Sequence, residues 1–272
     1  MVTPASALAP SRPAGAAART QQNAVASALR WLGQAAALPR AAFSTSFGAE
    51  DMVLLDLIVR HALTVEVFTL DTGRLHEETH ALMQRAEQRY GRVVQVYFPD
   101  AVDLRELLRA QGVNGFYASV EQRRACCEVR KVAPLGLALA GRGAWVTGQR
   151  AAQSAKRSAL QPAESDTARP GLVKFNPLHD WTDAEVWDYL RAQDVPVNAL
   201  HARGFPSIGC APCTRAITAG EDIRAGRWWW EDASVRECGL HWRAAPPIAA
   251  VPAAPAAPTR APSGAPSRKA LP

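Results

Sequence analysis

The sequence predicts an α/β domain built on a parallel β-sheet with helices on both faces. Two observations lead to this fold class. Segments of helical length or periodicity alternate with short β-rich runs, which lie at residues 41–47, 64–70, 92–98, 143–148 and 172–178. The order strand then helix recurs along the chain, and parallel strands need such crossover connections. The alternation therefore predicts a sheet whose two faces are both covered by helices.

Three segments between and after these runs predict helices. "EDMVLLDLIVRHAL" follows the first run and is strongly apolar, whereas "HEETHALMQRAEQRY" follows the second and has acidic residues in its first turn. "WTDAEVWDYLRAQ" places Thr182 and Glu185 at the spacing of a capping box. Its apolar residues Val186, Trp187 and Leu190 share one face, so we interpret this helix as structural.

Composition divides the 272-residue chain into four segments. Residues 1–20 and the Pro- and Ala-rich residues 244–272 contain little to bury and are predicted to be disordered tails. Residues 21–225 are predicted to form the α/β domain, and residues 226–243 a separate C-terminal segment. With 48% hydrophobic residues, the chain can bury the core of one such domain.

Charge and hydropathy exclude some classes of protein. The formal net charge is +6, but the chain has no run of Lys and Arg that would indicate a nucleic-acid-binding surface. No apolar stretch has the length of a signal peptide or a membrane span, which predicts a soluble cytoplasmic protein with no nucleic-acid or membrane partner. The positive charge by itself fits a solvated surface as well as an anionic ligand.

Glycine-containing loops follow three of the predicted strands. These loops are "SFGAED", "LDTGRLH" and "TGQR", with Gly48, Gly73 and Gly148 beside polar residues. Glycine lets backbone amides approach a bound group closely, and ligands of such sheets bind at the carboxyl ends of the strands. Each loop alone is typical of a turn, but three of them together predict a nucleotide-sized site.

Four of the five cysteines form two close pairs, Cys126 with Cys127 and Cys210 with Cys213. Four thiolates are enough for a zinc ion or an iron–sulfur cluster. Side chains of adjacent residues on a regular helix diverge by about 100°, which favours a [4Fe-4S] cluster over a single zinc ion. Buried cysteines without a ligand are the alternative.

Basic residues and a fifth cysteine accompany these pairs. Lys131 follows Cys127 by one helical turn, while Arg224 and Arg227 would share a face and clamp an anion if their segment is helical. Cys238 is isolated, and Arg236 and His241 lie near it in sequence. Nearby cations would make its thiolate a nucleophile, although an inert cysteine fits the same residues.

The ordered motifs "SFGAED", "LDTGRLH", "CCEVRK", "VTGQR", "KFNPL", "SIGCAPCT", "GRWWWE" and "ECGLH" resemble those of assimilatory adenylyl-sulfate reductases, the iron–sulfur branch of the phosphoadenylyl-sulfate reductase family. The resemblance covers roughly residues 41–241 and leaves out both tails. It implies a Rossmann-like sheet of the adenine nucleotide alpha hydrolase type and adenosine 5'-phosphosulfate as substrate. It implies one [4Fe-4S] cluster per chain, held by Cys126, Cys127, Cys210 and Cys213.

The resemblance also implies roles for the other motif residues. Ser46, Leu70 and Gly148 would lie near the nucleoside, and Lys131, Arg224, Arg227 and His241 near the phosphosulfate. Cys238 would attack the sulfate sulfur, release AMP and carry a cysteine S-sulfonate. The remaining cysteines would be cluster ligands, so thioredoxin or glutaredoxin must supply the dithiol that releases sulfite. The family also implies a homo-oligomer and a role in cysteine biosynthesis.

Other functions remain as alternatives. A reductase of the 3'-phosphorylated substrate would share the mechanism. An ATP pyrophosphatase of this fold would carry an S-G-G-x-D-S loop, but "SFGAED" has Phe47 in place of the first of those glycines. The further alternatives are a four-cysteine zinc protein that binds nucleic acid and a dithiol oxidoreductase that uses Cys210 and Cys213.

Overall fold

A computed structural model describes residues 21–154 and 157–232. Its centre is a six-stranded sheet with the spatial order β3-β2-β1-β4-β6-β5. The strands are β1 (Ala42–Thr45), β2 (Glu66–Leu70), β3 (Val94–Tyr97), β4 (Ala144–Val146), β5 (Ala163–Ser165) and β6 (Val173–Phe175). Each of the five predicted runs contains one strand.

The predicted parallel sheet is confirmed for these five runs, and one edge differs. β1 pairs with β2 and β4, β2 with β3, and β4 with β6, in every case in parallel. β5 was not predicted and lies antiparallel to β6, with Glu164 opposite Lys174. This strand has only three residues and no alternating apolar pattern, so its signal in the sequence is weak.

Seven α-helices surround the sheet within the described residues. They are α1 (Gln21–Ala36), α2 (Ala49–Arg60), α3 (Glu77–Tyr90), α4 (Ala101–Gln111), α5 (Val120–Cys127), α6 (Ala133–Leu139) and α7 (Asp183–Ala192). The predicted capping box of α7 is present, because Thr182 and Glu185 each accept a hydrogen bond from the other's backbone N–H. None of the helices in the described ranges is long and apolar enough to cross a membrane.

The two faces of the sheet carry separate apolar clusters. The larger cluster packs side chains of α1, α2, α3 and α7 against one face, with Leu32 and Leu54 fully buried. The smaller cluster packs α6 against the other face through Leu135 and Leu139. Helices on both faces are therefore confirmed.

The strand order produces a switch point between β1 and β4. From β1 the chain continues outward through β2 and β3, and then returns to place β4 on the other side of β1. The loops that leave β1 and β4 consequently diverge at the carboxyl edge of the sheet, which leaves a crevice in which α/β proteins bind ligands. The predicted loops "SFGAED" and "TGQR" are the two loops at this crevice.

Asp56 links three helices on the larger cluster's face. This carboxylate on α2 is 1% exposed, and it accepts hydrogen bonds from the hydroxyls of Tyr90 on α3 and Tyr189 on α7, at 2.9 and 2.7 Å. Burial, together with the nearby carboxylate, raises the pKa of both hydroxyls, which therefore remain protonated donors. Arg60 and Arg89 supply the opposite charge.

We expect Asp56→Ala to lower the free energy of unfolding by about 2–4 kcal/mol, because two partly buried hydroxyls lose their acceptor and two arginines their counter-charge. Urea denaturation followed by circular dichroism measures this loss. Asp188→Ala is the control, since Asp188 lies on α7 in an exposed pair with Arg191 and should change stability by less than about 0.5 kcal/mol. Equal midpoints for Asp56→Ala and wild type would show that the three helices do not depend on Asp56.

Candidate active site

The loops after β1 and β4 contact each other through Asp51. One carboxylate oxygen of Asp51 accepts hydrogen bonds from the backbone N–H and the hydroxyl of Ser46, at 2.6 and 2.7 Å. The other oxygen lies against Gly148, where an added Cβ would come within 2.2 Å of it. The predicted nucleoside residues Ser46 and Gly148 are thus held on opposite sides of one carboxylate.

Asp51 is buried in the first turn of α2, and its surroundings shift its pKa. Burial raises the pKa of Asp51 to about 6, against the lowering effect of its hydrogen bonds from Ser46, and the neighbouring charge of Glu50 also raises it. Ser46 is an exposed residue, and its hydroxyl therefore lies beside the Asp51 carboxylate, whose pKa is about 6. This arrangement leaves the hydroxyl oxygen free to accept a hydrogen bond from a ligand.

Arg150 ties the same two loops together with a buried ion pair. Its guanidinium donates to Glu50 of the β1 loop at 2.6 and 2.9 Å, and it also pairs with Asp183 at the start of α7. The guanidinium also donates a hydrogen bond to the carbonyl oxygen of Trp181, at 3.1 Å. Because the Arg150 side chain is only 3% exposed, separating the loops would leave a buried charge without partners.

A buried polar network holds the β4 loop from below. The ammonium of Lys174 donates to Gln149 at 2.8 Å and to Glu164 at 3.0 Å, while Thr147 donates to Asn176 at 2.6 Å. Burial lowers the pKa of Lys174, which Glu164 partly opposes. The residues on either side of Gly148 are therefore fixed by side-chain hydrogen bonds, and Gly148 itself presents its backbone to the crevice.

The loop after β2 brings the nucleotide crevice into contact with the cysteines. The hydroxyl of Thr72 lies 3.3 Å from the Sγ of Cys210, and the carbonyl oxygen of Thr72 accepts a hydrogen bond from Arg130 at 2.5 Å. The backbone N–H of Ala211 donates to the carbonyl oxygen of Arg74 at 2.8 Å. Leu70, another predicted nucleoside residue, is the last residue of β2 and starts this loop.

The two cysteine pairs line one pocket. All four thiols are free, and the Cys210 and Cys213 side chains are buried. Within the described residues, no three or more His, Cys, Asp or Glu side chains are placed to hold a single metal ion. The pocket is lined by Arg74, Phe116, Arg123, Cys126, Cys127, Arg130, Lys131, Cys210, Pro212, Cys213 and Trp228.

Cys126 and Cys127 are the last two residues of the regular helix α5. A π-helical segment, Glu128–Val132, follows Cys127 directly and joins α5 to α6. Such wide turns are rare and are found mainly at functional sites. The two adjacent cysteines therefore end a regular helix, as the prediction assumed, and the wide turn begins directly after them.

Cations surround the thiols of this pocket. Burial alone would raise the pKa of Cys210, but Lys131 and the Thr72 hydroxyl lower it below its usual value. Burial and the neighbouring Cys210 raise the pKa of Cys213 to about 12. The pocket therefore favours a thiolate at one of the two cysteines when both side chains are unliganded.

Arg224 and Arg227 differ in burial. Their segment forms turns, so the condition for a shared helical face is not met. Arg224 is half-buried, and its backbone N–H donates to the carboxylate of Asp222 at 2.8 Å. Arg227 is buried, donates to the carbonyl oxygen of Ile208 at 3.2 Å and has an Nε atom with no hydrogen-bond partner. An added Cβ at Gly209 would lie 2.4 Å from its guanidinium, which makes glycine necessary there.

The structure places Ser46, Leu70 and Gly148 at the carboxyl ends of β1, β2 and β4, and it brings Lys131 and the four paired cysteines into the adjoining pocket. Arg227 packs on Trp228 at the border of that pocket, and Arg224 is not among its lining residues. Cys238 and His241 lie outside the described residues, as do both predicted tails. Sequence reasoning missed Asp51 and Arg150, although both stand inside the quoted motifs. It also missed Arg123 and Glu231, for which a single sequence contains no signal because 108 positions separate them.

Comparisons with known proteins find a matching family and similar sequences. Residues 40–216 match the phosphoadenosine phosphosulfate reductase domain. The chain is 54% identical over 210 residues to the adenosine 5'-phosphosulfate reductase of Burkholderia cepacia, covering 76% of this chain and 83% of that protein. It is 55% identical over 201 residues to the protein of the same name from Allochromatium vinosum, covering 74% and 78% respectively.

Solved structures give the same result for the fold. A phosphoadenylyl-sulfate reductase from Candida auris in a phosphate complex superposes with a TM-score of 0.60 at 26% identity, covering 74% of this chain and all of that chain. An FMN adenylyltransferase from Candida glabrata, with FMN and an ATP analogue, reaches 0.50 at 17% identity, covering 84% and 78%, and shares the fold alone. The Rossmann-like nucleotide fold and the resemblance of the motifs are both confirmed, and the chain belongs to the phosphoadenosine phosphosulfate reductase family.

Proposed function

We propose that this protein reduces adenosine 5'-phosphosulfate to sulfite and AMP. The observation that carries the proposal is the contact between the two halves of the site, where Thr72 of a nucleotide-crevice loop touches Cys210 of the cysteine pocket. A nucleotide bound at the switch point would extend its anionic end toward Lys131 and Arg227. Two relatives that are 54% and 55% identical over about three quarters of this chain are named for the same substrate.

The nucleoside would bind between the β1 and β4 loops. Ser46 and the backbone of Gly148 supply polar groups whose positions Asp51 fixes. The phosphosulfate would then meet the cations that line the cysteine pocket. Arg227 is suited to this role because its buried Nε has a free hydrogen-bond donor, which a sulfate or phosphate oxygen would satisfy.

Cys238 is the proposed nucleophile. Its thiolate attacks the sulfate sulfur, the bond from that sulfur to the bridging phosphate oxygen breaks, and AMP leaves with the electron pair. The enzyme then carries an S-sulfonate on Cys238. The cations stabilise the negative charge that develops on the leaving phosphate.

An external dithiol, thioredoxin or glutaredoxin, completes the reaction. One of its thiolates attacks the Cys238 sulfur and displaces sulfite, forming a mixed disulfide. The second thiol of the dithiol attacks the thioredoxin or glutaredoxin sulfur of that disulfide. The Cys238 thiol leaves and is thereby restored. The dithiol is oxidised to a disulfide and supplies the two electrons that reduce the sulfate group to sulfite.

We propose that Cys126, Cys127, Cys210 and Cys213 hold a [4Fe-4S] cluster. The four thiols line one pocket, and four is the number of cysteine ligands that a [4Fe-4S] cluster takes. Arg123, Arg130 and Lys131 would offset the negative charge of the bound thiolates. The cluster would supply a fixed electrostatic field at the site, with no electron passing through it in the proposed route.

Reduction of the 3'-phosphorylated substrate is the second candidate. The family's name and the phosphoadenylyl-sulfate reductase from Candida auris favour it. The identity to that protein is 26%, about half the identity to the relatives named for the unphosphorylated substrate. We therefore rank adenosine 5'-phosphosulfate first.

Incubating the anaerobically prepared protein with adenosine 5'-phosphosulfate, without any dithiol, should add one sulfonate to the Cys238 peptide. Peptide mass spectrometry measures the adduct, and the 3'-phosphorylated nucleotide is run in parallel. An adduct with both nucleotides would broaden the substrate but keep the reaction. No adduct with either, on protein that contains its cluster, would refute the covalent mechanism.

Iron and labile sulfide should each be present at about four per chain in protein purified without oxygen. Cys126→Ser should lose most of both, because it removes a ligand from the pocket. Cys238→Ser makes the same chemical change outside the proposed ligand set and should retain them. Zinc at one per chain would instead support the four-cysteine zinc protein.

Gly148→Ala should lower kcat/KM for adenosine 5'-phosphosulfate at least tenfold, about 1.4 kcal/mol of transition-state stabilisation. The added methyl would displace Asp51 and with it the Ser46 hydroxyl. Gly136→Ala is the matched control, because no atom lies within 4 Å of a Cβ built there. Wild-type kinetics for Gly148→Ala would show that the contact with Asp51 does not shape the site.

A further inference from the structure

A buried ion pair connects the helix of the first cysteine pair to the end of the described chain. Arg123 on α5 donates to both carboxylate oxygens of Glu231, from Nε at 2.9 Å and from Nη2 at 2.8 Å. The two side chains are only 1% and 3% exposed. Two parallel hydrogen bonds between a guanidinium and a carboxylate fix orientation as well as distance.

The same guanidinium has two further contacts in the cysteine pocket. Arg123 lies one helical turn before Cys127 and forms a hydrogen bond with its thiol. Its Cζ also lies 4.7 Å from the centre of the Trp228 ring. The Arg227 guanidinium lies 4.8 Å from the same ring, so one indole contacts both cations.

The backbone around Trp228 is held in a conformation that needs support. Trp228 has a φ of 45°, a left-handed value that is rare for a bulky residue. Its N–H donates to the carbonyl oxygen of Cys213 at 3.1 Å, and the N–H of Glu231 donates to the carbonyl oxygen of Trp228 at 2.9 Å. The turn from Trp228 to Glu231 therefore packs against both cysteine pairs through Arg123 and Cys213.

This turn is where the chain leaves toward the proposed nucleophile, since Cys238 follows Glu231 by seven positions. A random-coil tether of seven residues has a root-mean-square reach of about 15 Å. If the tether began at Arg227 instead, it would be eleven residues long, and loop-closure statistics would lower the effective concentration of the thiol about twofold. Release of the turn would also remove the packing that holds Arg227 against Trp228.

We propose that Arg123 and Glu231 are positioning residues for the reaction: their buried pair fixes the turn of residues 228–231 against the cysteine pocket, which sets both the place of Arg227 and the starting point of the segment that carries Cys238. This inference rests on the proposed function of Cys238. A buried ion pair is a weak source of stability, because desolvation of both charges offsets their attraction. Its value here is in specifying one arrangement of the turn.

The first test uses the full-length protein with its cluster and does not depend on the reaction. Glu231→Gln removes one charge at nearly constant shape and should raise the rate of chymotrypsin cleavage after Trp229 and Trp230 at least tenfold. The buried Arg123 guanidinium loses its carboxylate, which favours the open turn, and cleavage follows the open population when reclosing is fast. Cleavage at the wild-type rate would overturn the proposal.

The second test measures the rate at which Cys238 becomes sulfonated at saturating adenosine 5'-phosphosulfate, in a single turnover without dithiol. Glu231→Gln should lower this rate at least twofold while iron content stays at the wild-type value. A wild-type rate would show that the pair does not position the nucleophile. If wild type itself forms no adduct, the proposed function fails, and the cleavage experiment still decides whether the pair holds the turn.

Glu66→Gln is the matched control, because Glu66 pairs at 2.8 Å with the buried guanidinium of Arg142 at the start of β2. It should leave cleavage and sulfonation at wild-type rates. Arg123→Lys keeps a cation beside Glu231 but loses the two parallel hydrogen bonds, so it should change both rates in the same direction by a smaller factor. If Glu231→Gln does not accumulate as folded protein, wild-type rates for Arg123→Lys would overturn the proposal.

Discussion

The geometry of the crevice depends on the ion pairs of the buried Arg150 guanidinium. It joins the β1 loop through Glu50 and the start of α7 through Asp183, while it belongs to the β4 loop itself. A charge this deeply buried requires its partners, so the loops on either side of the switch point are held at one separation. Asp51 and Gly148 touch as a consequence of that separation.

In the cysteine pocket, the signs of the charges are reversed. In the crevice, carboxylates surround a cation, whereas in the pocket, cations surround thiols. Arg130 joins the two regions because it hydrogen-bonds the carbonyl oxygen of Thr72, whose hydroxyl lies against Cys210. A nucleotide with an anionic end fits this division, since its base and ribose would occupy the polar crevice and its charge would meet the cations.

The fold by itself would not separate this protein from other nucleotide enzymes. An FMN adenylyltransferase shares the architecture at 17% identity, and one fold can host unrelated functions. The cysteine pocket of this chain is built on the helix from Val120 to Leu139, whose π-helical segment follows the first cysteine pair directly. The second pair then reaches the pocket through the loop that contacts Arg74 and Thr72.

The sequence by itself determined the parallel strands, the helices α2, α3 and α7, the capping box at Thr182 and the glycine-containing loops at the strand ends. These features depend on local periodicity and on residue types at short spacing, which a single chain displays directly. It also indicated that two distant cysteine pairs act together. It did not indicate the short strand Ala163–Ser165 or the turns around Arg227, because neither has a periodic pattern.

Only the tertiary structure decided which charges are paired and buried. The partners of Arg150 lie 33 and 100 positions away, and those of Arg123 and Lys174 are likewise brought together by the fold. A charged residue in a sequence most often belongs to a solvated surface. Its role changes when the sheet and helices exclude water from it, because an ion out of water must find its counter-charge wherever the fold has placed one.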